Sequence, residues 1–305
     1  MFKIFIFFLF TNSILYANPS FSPIPKIDIE NKDKYKLGKI LFFDPNLSSN
    51  KKIACVNCHM LNLGGSDQKK LSQGVSREKS RVNSPTIFNT RFNIAQDWIG
   101  DSLTIKDRTK RAFLSPTEMD GNPKKALEYI KSEKELKELY SKVYNRFEED
   151  NIFDAITYYV ENLTTPNSKF DRFLKGDKNL EEKEYDGYKL FKSYGCVSCH
   201  NGVNIGGNMY QKFGIFHEEK IKRKKNLGRY ELTKKEYDRY VFKVPSLRNI
   251  SKTYPYMHNG KIDNLKKVIK EMGKYQLGTI IPDNDVDKIE LFLKTLEQED
   301  VYEND

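Results

Sequence analysis

The sequence predicts a mainly α protein built as two related units in tandem. Three observations carry this: a pair of Cys-x-x-Cys-His runs, an internal repeat around them, and apolar stripes at helical rather than strand spacing. The runs are Cys55-Val56-Asn57-Cys58-His59 and Cys196-Val197-Ser198-Cys199-His200, and they use every cysteine of the 305-residue chain. Gly38-Lys39-Ile40-Leu41-Phe42 precedes the first run and Gly187-Tyr188-Lys189-Leu190-Phe191 the second. Asn62-Leu63-Gly64-Gly65 and Asn204-Ile205-Gly206-Gly207 follow them. Each half therefore reads as a helix, a Cys-His motif and a Gly-Gly loop, the loop letting backbone pass close to whatever the motif holds.

In chain order, residues 1–17 read as a secretory signal: Lys3, an apolar core over Ile4 to Phe10, and a cleavage point after Ala17. Thr11-Asn12-Ser13 interrupts this stretch, which is short for a membrane span, and the rest of the chain offers no span. Residues 18–164 form the first unit and 165–305 the second. Within the first, Asn122 caps and Pro123 opens a helix expected to run from Lys124 to Glu149. A further helix shows its stripe at Ile152, Ala155, Ile156, Tyr159, Val160 and Leu163, and Thr164-Thr165-Pro166-Asn167 closes it at the boundary. Leu265, Val268, Ile269 and Met272 mark a helix of the second unit. Val286, Ile289, Phe292, Leu293 and Leu296 mark the last one.

Cys-x-x-Cys-His is the attachment signature of a c-type haem. Two thiols three residues apart share one face of a turn and can add to the two vinyl groups of one porphyrin. The adjoining histidine supplies an axial nitrogen to iron. A zinc site or a pair of redox dithiols would account for the thiols, but not for a histidine directly after each pair. Two covalently bound haem c groups, one per unit, make both units cytochrome c-like, and such attachment points to the periplasm.

The formal charge is +10, or +9 once Lys3 leaves with the signal. Four haem propionates would bring it to about +5. No nucleic-acid motif accompanies this modest excess. The densest basic run, residues 220–225, reads as a solvated loop.

Further segments carry a resemblance. These are Asn83-Ser84-Pro85-Thr86, Glu118-Met119, Thr165 to Asp171, Pro245-Ser246-Leu247-Arg248-Asn249, Pro255-Tyr256-Met257-His258-Asn259-Gly260 and Met272-Gly273. With the two haem motifs, and in this order, the chain resembles the bacterial di-haem cytochrome c peroxidases over nearly all of the mature sequence. The resemblance implies reduction of hydrogen peroxide to water with electrons from a small monohaem cytochrome c or similar donor. Electrons would enter at the C-terminal haem, and peroxide would meet the N-terminal one. It implies Met272 as second axial ligand of the C-terminal haem, a thioether that raises its potential. It makes Glu118 the acid–base residue and puts Trp98, the only tryptophan, between the haems. Arg108 falls where many relatives carry a distal glutamine, and a guanidinium there can stabilise a departing hydroxide. Asn83, Thr253 and Pro255 match a calcium site between the domains. A homodimer is implied by analogy. His258 would brace the haem surroundings, and His217 reads as a loop histidine.

The chain departs from the pattern at one place. Many relatives carry a distal histidine in the loop before Asn-Ser-Pro-Thr, and Val75 stands there instead. No histidine occurs from Leu71 to Arg81; Lys69, Lys70 or Lys79 would be the substitute donors. The expectation is a peroxidatic iron that is open even when both haems are ferric. Two other functions compete: a plain di-haem electron carrier, which requires both irons to be six-coordinate, and a di-haem oxidase of a partner protein. The relative that matures the tryptophan-derived cofactor of methylamine dehydrogenase is such an oxidase, and it has tyrosine where this chain has Met272.

Overall fold

The computed structural model describes residues 20–217 and 226–298; the signal segment and the basic run at 220–225 lie outside them. The described chain is mainly α. Its helices are α1 Lys32–Phe43, α2 Ile105–Leu114, α3 Pro123–Ser132, α4 Lys134–Val143 and α5 Asp150–Glu161, then α6 Lys169–Lys175, α7 Glu182–Ser193, α8 Tyr230–Thr233, α9 Leu265–Gln276 and α10 Asp283–Lys294. The one sheet among the described residues is a short antiparallel pair, β1 Tyr210–Lys212 against β2 Val241–Lys243, with Gln211 opposite Phe242. Among the described residues, no helix is long and apolar enough to cross a membrane.

The expected helix from Lys124 to Glu149 is two helices. Asn122 caps α3 as anticipated, its side chain accepting from Lys125 N, but the backbone turns extended at Glu133 before α4 begins. The reason lies in the stripe. Ala126, Leu127 and Ile130 are buried from α3, and Leu136, Leu139 and Tyr140 from α4. At 3.6 residues per turn those two sets would face different sides of one straight helix. Breaking at Glu133 turns both sets toward the same core.

That core gathers Leu37, Leu41, Phe42, Phe113, Ile156 and Tyr159, all essentially buried, around α1, α2 and α5. A second core gathers Phe170, Phe191, Ile289, Phe292 and Leu293 around α6, α7 and α10. The repeat seen in the sequence becomes the same helix crossing in each. A side chain at Gly38 of α1 would run into the Ala155 carbonyl of α5, and one at Gly187 of α7 would meet the Lys288 carbonyl of α10. Glycine lets each helix pair approach to backbone contact, and a haem motif follows each of these helices.

The first described residues pack in the second core although they precede the first motif. Phe21 sits edge-on against Phe170 with ring centroids 5.6 Å apart, and Ile24 N donates to Asp171 Oδ1 at 3.1 Å. Asp171 also pairs with Arg248 at 2.8 Å, and both side chains are almost wholly buried. Arg248 donates further to Ser168, Val203 and Ser22, so its guanidinium is satisfied on every side. A buried charge pair of this kind is stable only with such added hydrogen bonds. Here it fixes the strap at Ser22 to the loop after the second haem motif.

Candidate functional site

Each Cys-His motif forms a tight 3-10 turn, over Cys55–Asn57 and Cys196–Ser198. The turn closes with the histidine amide donating to the first cysteine's carbonyl, His59 to Cys55 at 3.1 Å and His200 to Cys196 at 3.0 Å. Both glycines of each following loop adopt positive φ, 74° and 76° at Gly64 and Gly65, 122° and 77° at Gly206 and Gly207. This bends the loops back over the imidazoles. His59 Nδ1 lies 3.2 Å from the Gly65 carbonyl, which accepts its proton and leaves Nε2 free to bind a metal. His200 Nδ1 is equally buried beside the Ile205 and Pro245 carbonyls, without a well-formed hydrogen bond.

Burial controls the chemistry of both motifs. It pulls both His59 and His200 down to about 4, so each imidazole is neutral at physiological pH and its lone pair is available. It pushes the Cys55 thiol up to about 12, and the Cys58 and Cys196 thiols up to about 11. Reactive dithiols need stabilised thiolates, which is the opposite shift. Neutral, buried sulfurs suit thioether bonds to porphyrin.

Both motifs open onto a single cavity of about 910 Å³ with a mostly apolar lining. Its walls hold all four cysteines, His59, His200 and Met272, the set expected for two haems. The donor set and the mostly apolar walls fit that group: two neutral imidazoles, four cysteine sulfurs and one thioether.

The two ends of the cavity differ. At the first, Arg108 Nη2 donates to both carboxylate oxygens of Glu118, at 3.2 and 3.0 Å, and Arg108 Nε faces Asp97 at 3.6 Å. Burial lowers the Arg108 guanidinium, but Glu118 and Asp97 outweigh it and hold it above its ordinary value. Met119 is buried with its sulfur 3.9 Å from Cys55 Sγ, which ties the Glu-Met pair to the first motif. Val75 does not line the cavity; its amide donates to the Glu118 carbonyl at 2.9 Å. Gly74 presses on the same backbone, where a side chain would meet the Thr117 and Glu118 carbonyls. At the second end, α9 presents half-buried Met272 to the cavity, one helical turn beyond Val268.

Trp98 lines the same cavity. Its Nε1 donates to the Asn83 carbonyl at 2.8 Å, and its own carbonyl accepts from Lys243 N at 2.9 Å. His258 stacks on Phe242 at 4.3 Å, turns its edge to Trp98 at 6.4 Å, and accepts from Asn83 N through its carbonyl at 2.9 Å. Asn83, Thr253 and Pro255 all line this cavity, and Asn83 Nδ2 is held by the Lys69 carbonyl at 2.8 Å. His217 is exposed and meets the edge of the Tyr275 ring.

Sequence reasoning missed two members of this wall. Asp97 could have been suspected from its place beside the lone tryptophan. Lys243 gave no signal, because lysines in so charged a chain are ordinarily solvated.

A sequence profile described as di-haem cytochrome c peroxidase matches residues 32–179. The chain is 42% identical over 286 residues to the cytochrome c551 peroxidase of Nitrosomonas europaea, covering 93% of this chain and 85% of that protein. It is 36% identical over 293 residues to the cytochrome c551 peroxidase of Pseudomonas aeruginosa, covering 92% and 85%. Its fold matches the crystal structure of a MauG-like protein associated with microbial copper homeostasis, with a TM-score of 0.83 at 22% identity over 95% of this chain and 97% of that one.

Proposed function

The chain belongs to the di-haem cytochrome c peroxidase family, and we propose that it divides the family's reaction between two unequal haem sites. It is an oxidoreductase acting on peroxide, with two haem c groups. The observation that carries the division is the asymmetry of the cavity: a thioether donor, Met272, at the His200 end and a hydrogen-bonded carboxylate, Glu118, toward the His59 end. When bound, the haem at His59 supplies the metal centre for O–O cleavage and the haem at His200 supplies the electrons.

The chain's own residues do the following. Cys55 and Cys58 tether the first porphyrin and Cys196 and Cys199 the second, while His59 and His200 each offer Nε2. Met272 caps the second site, which excludes peroxide from it. Glu118 takes the proton from the nearer peroxide oxygen and returns it to the farther one, so that water rather than hydroxide leaves. Arg108 holds both Glu118 oxygens, fixing the carboxylate's orientation, and adds positive charge where the leaving oxygen becomes negative. Trp98 lies on the path between the sites. Val75 offers no ligand, so the first site needs no prior reduction to admit peroxide.

Residues 18–164 would house the peroxidatic site and 165–305 the electron-entry site. Calcium, if held by Asn83, Thr253 and Pro255, would stiffen the wall that carries Trp98. The donor is a small monohaem cytochrome c or similar protein, the protein works in the periplasm, and two copies associate. One stopped-flow experiment tests the reading. Diferric protein is mixed with hydrogen peroxide while the first haem is followed, then reduced monohaem cytochrome is added. Rapid oxidation followed by steady donor consumption is expected. Two haem bands that ignore peroxide would mean an electron carrier instead.

A further inference from the structure

Lys243 is the last residue of β2 and is only 7% exposed. Its backbone is used: the amide donates to the Trp98 carbonyl at 2.9 Å. Its ammonium forms neither a hydrogen bond nor an ion pair with any described residue. The nearest opposing charge is Asp97, which attracts it at a distance but is itself taken up by Arg108. Both residues line the haem cavity where its two ends meet.

A buried, unpartnered ammonium is costly unless an anion meets it. Phe242, the next residue back, stacks on His258 and needs no such partner. Arg108, the other half-buried cation of this wall, already holds Glu118. The anions this cavity is built to receive are the haem carboxylates, two on each porphyrin.

We propose that Lys243 is the buried counter-cation of a haem propionate at the junction of the two sites, and that its charge raises the reduction potential of that haem. This rests on two haems filling the cavity. The electrostatics run in one direction: a fixed positive charge in a dry wall stabilises the added electron of the reduced state. Burial holds the lone ammonium down at about 8 despite the pull of Asp97, and an adjacent carboxylate would restore its charge.

The test uses the holoprotein. Lys243→Met keeps the aliphatic stem and removes the charge; Lys243→Arg keeps the charge. Haem content is measured first, because fewer than two haems in the wild type would overturn the two-haem reading itself, separately from this inference. Potentiometric titration at pH 6.5 should then show one haem of Lys243→Met reduced at least tenfold less favourably, about 59 mV lower for one electron. Lys243→Arg should stay within about threefold of wild type, a bound that follows from keeping the same charge. Unchanged potentials for both haems in Lys243→Met would overturn the proposal. So would a shift that vanishes when the substitution is made in an Asp97→Asn background, since Lys243 would then act through Asp97. Should Lys243→Met fail to load haem, infrared difference spectra of the wild type with carboxylate-labelled haem decide. A propionate band that moves in D2O on exchange of the ammonium protons is expected, and an insensitive band would refute the pairing.

Discussion

Arg108 Nη2 bridges the two carboxylate oxygens of Glu118 at 3.2 and 3.0 Å, joining the first half of α2 to the turn that follows the helix. Neither side chain is fully buried, so the pair is screened and its value is orientation rather than stability. On the other side Arg108 meets Asp97, the neighbour of Trp98. The Glu118 carboxylate is thus connected through one guanidinium to the residue beside Trp98.

The first prediction concerns that pair. Glu118→Gln keeps the shape and removes the proton acceptor, so turnover should fall by about 10²–10⁴-fold with two haems still bound. Arg108→Met should lower kcat by roughly 10–100-fold, the loss expected from one charged hydrogen bond. Steady-state peroxide assays with haem quantification check both; near-normal turnover of Glu118→Gln would remove it from the mechanism.

The second concerns activation. With Val75 in the loop before Asn83 and its amide occupied by the Glu118 carbonyl, the diferric protein should consume peroxide without a lag and without prior reduction. Electron paramagnetic resonance of the oxidised protein should show one haem that is not bis-ligated. Two low-spin, six-coordinate signals would sink this expectation.

Met272→Leu tests the proposed electron-entry site. The haem at His200 should lose its thioether charge-transfer absorption, and its midpoint should drop by at least about 59 mV, a tenfold change for one electron. Donor oxidation should slow while the first haem still reacts with peroxide. An unaltered red-edge spectrum would show that Met272 is core filling.

The helix crossings make a stability prediction. Gly38→Ala and Gly187→Ala each push a methyl against a carbonyl oxygen, Ala155 in one case and Lys288 in the other. Each should destabilise by about 1–3 kcal/mol, typical of overpacking. For a chain of this size that is roughly 2–4 °C in Tm per kcal/mol. Thermal melts of the holoprotein read this, and an unchanged Tm for both would refute the close crossing.

Calcium can be tested by content and by position. Elemental analysis of the dialysed protein should find one calcium per chain, and Asn83→Ala should abolish it. Because the Asn83 carbonyl accepts from Trp98 Nε1, chelation should also alter the Trp98 environment, read as a change in its fluorescence. Equal calcium in wild type and Asn83→Ala would remove the site.

Much of this was legible along the chain. The Cys-x-x-Cys-His runs, the Gly-Gly loops and the stripe of α5 are local patterns, in which spacing alone decides which side chains share a face. The two-unit, mainly α architecture followed from their repetition. Local periodicity misread the stretch from Lys124 to Glu149, because only the core it serves dictates the break at Glu133.

What the order of residues could not supply is which distant groups meet. Arg108 with Glu118, Asp97 beside Arg108, Phe21 inside the second core and the solitary ammonium of Lys243 are products of loop paths and chain crossings. Such contacts depend on the backbone closing loops of about ten to more than a hundred residues, which no local propensity encodes. Residue identity determined what this protein can bind; tertiary structure decided where its charges stand relative to what is bound, because electrostatic effects follow distance and burial rather than sequence separation.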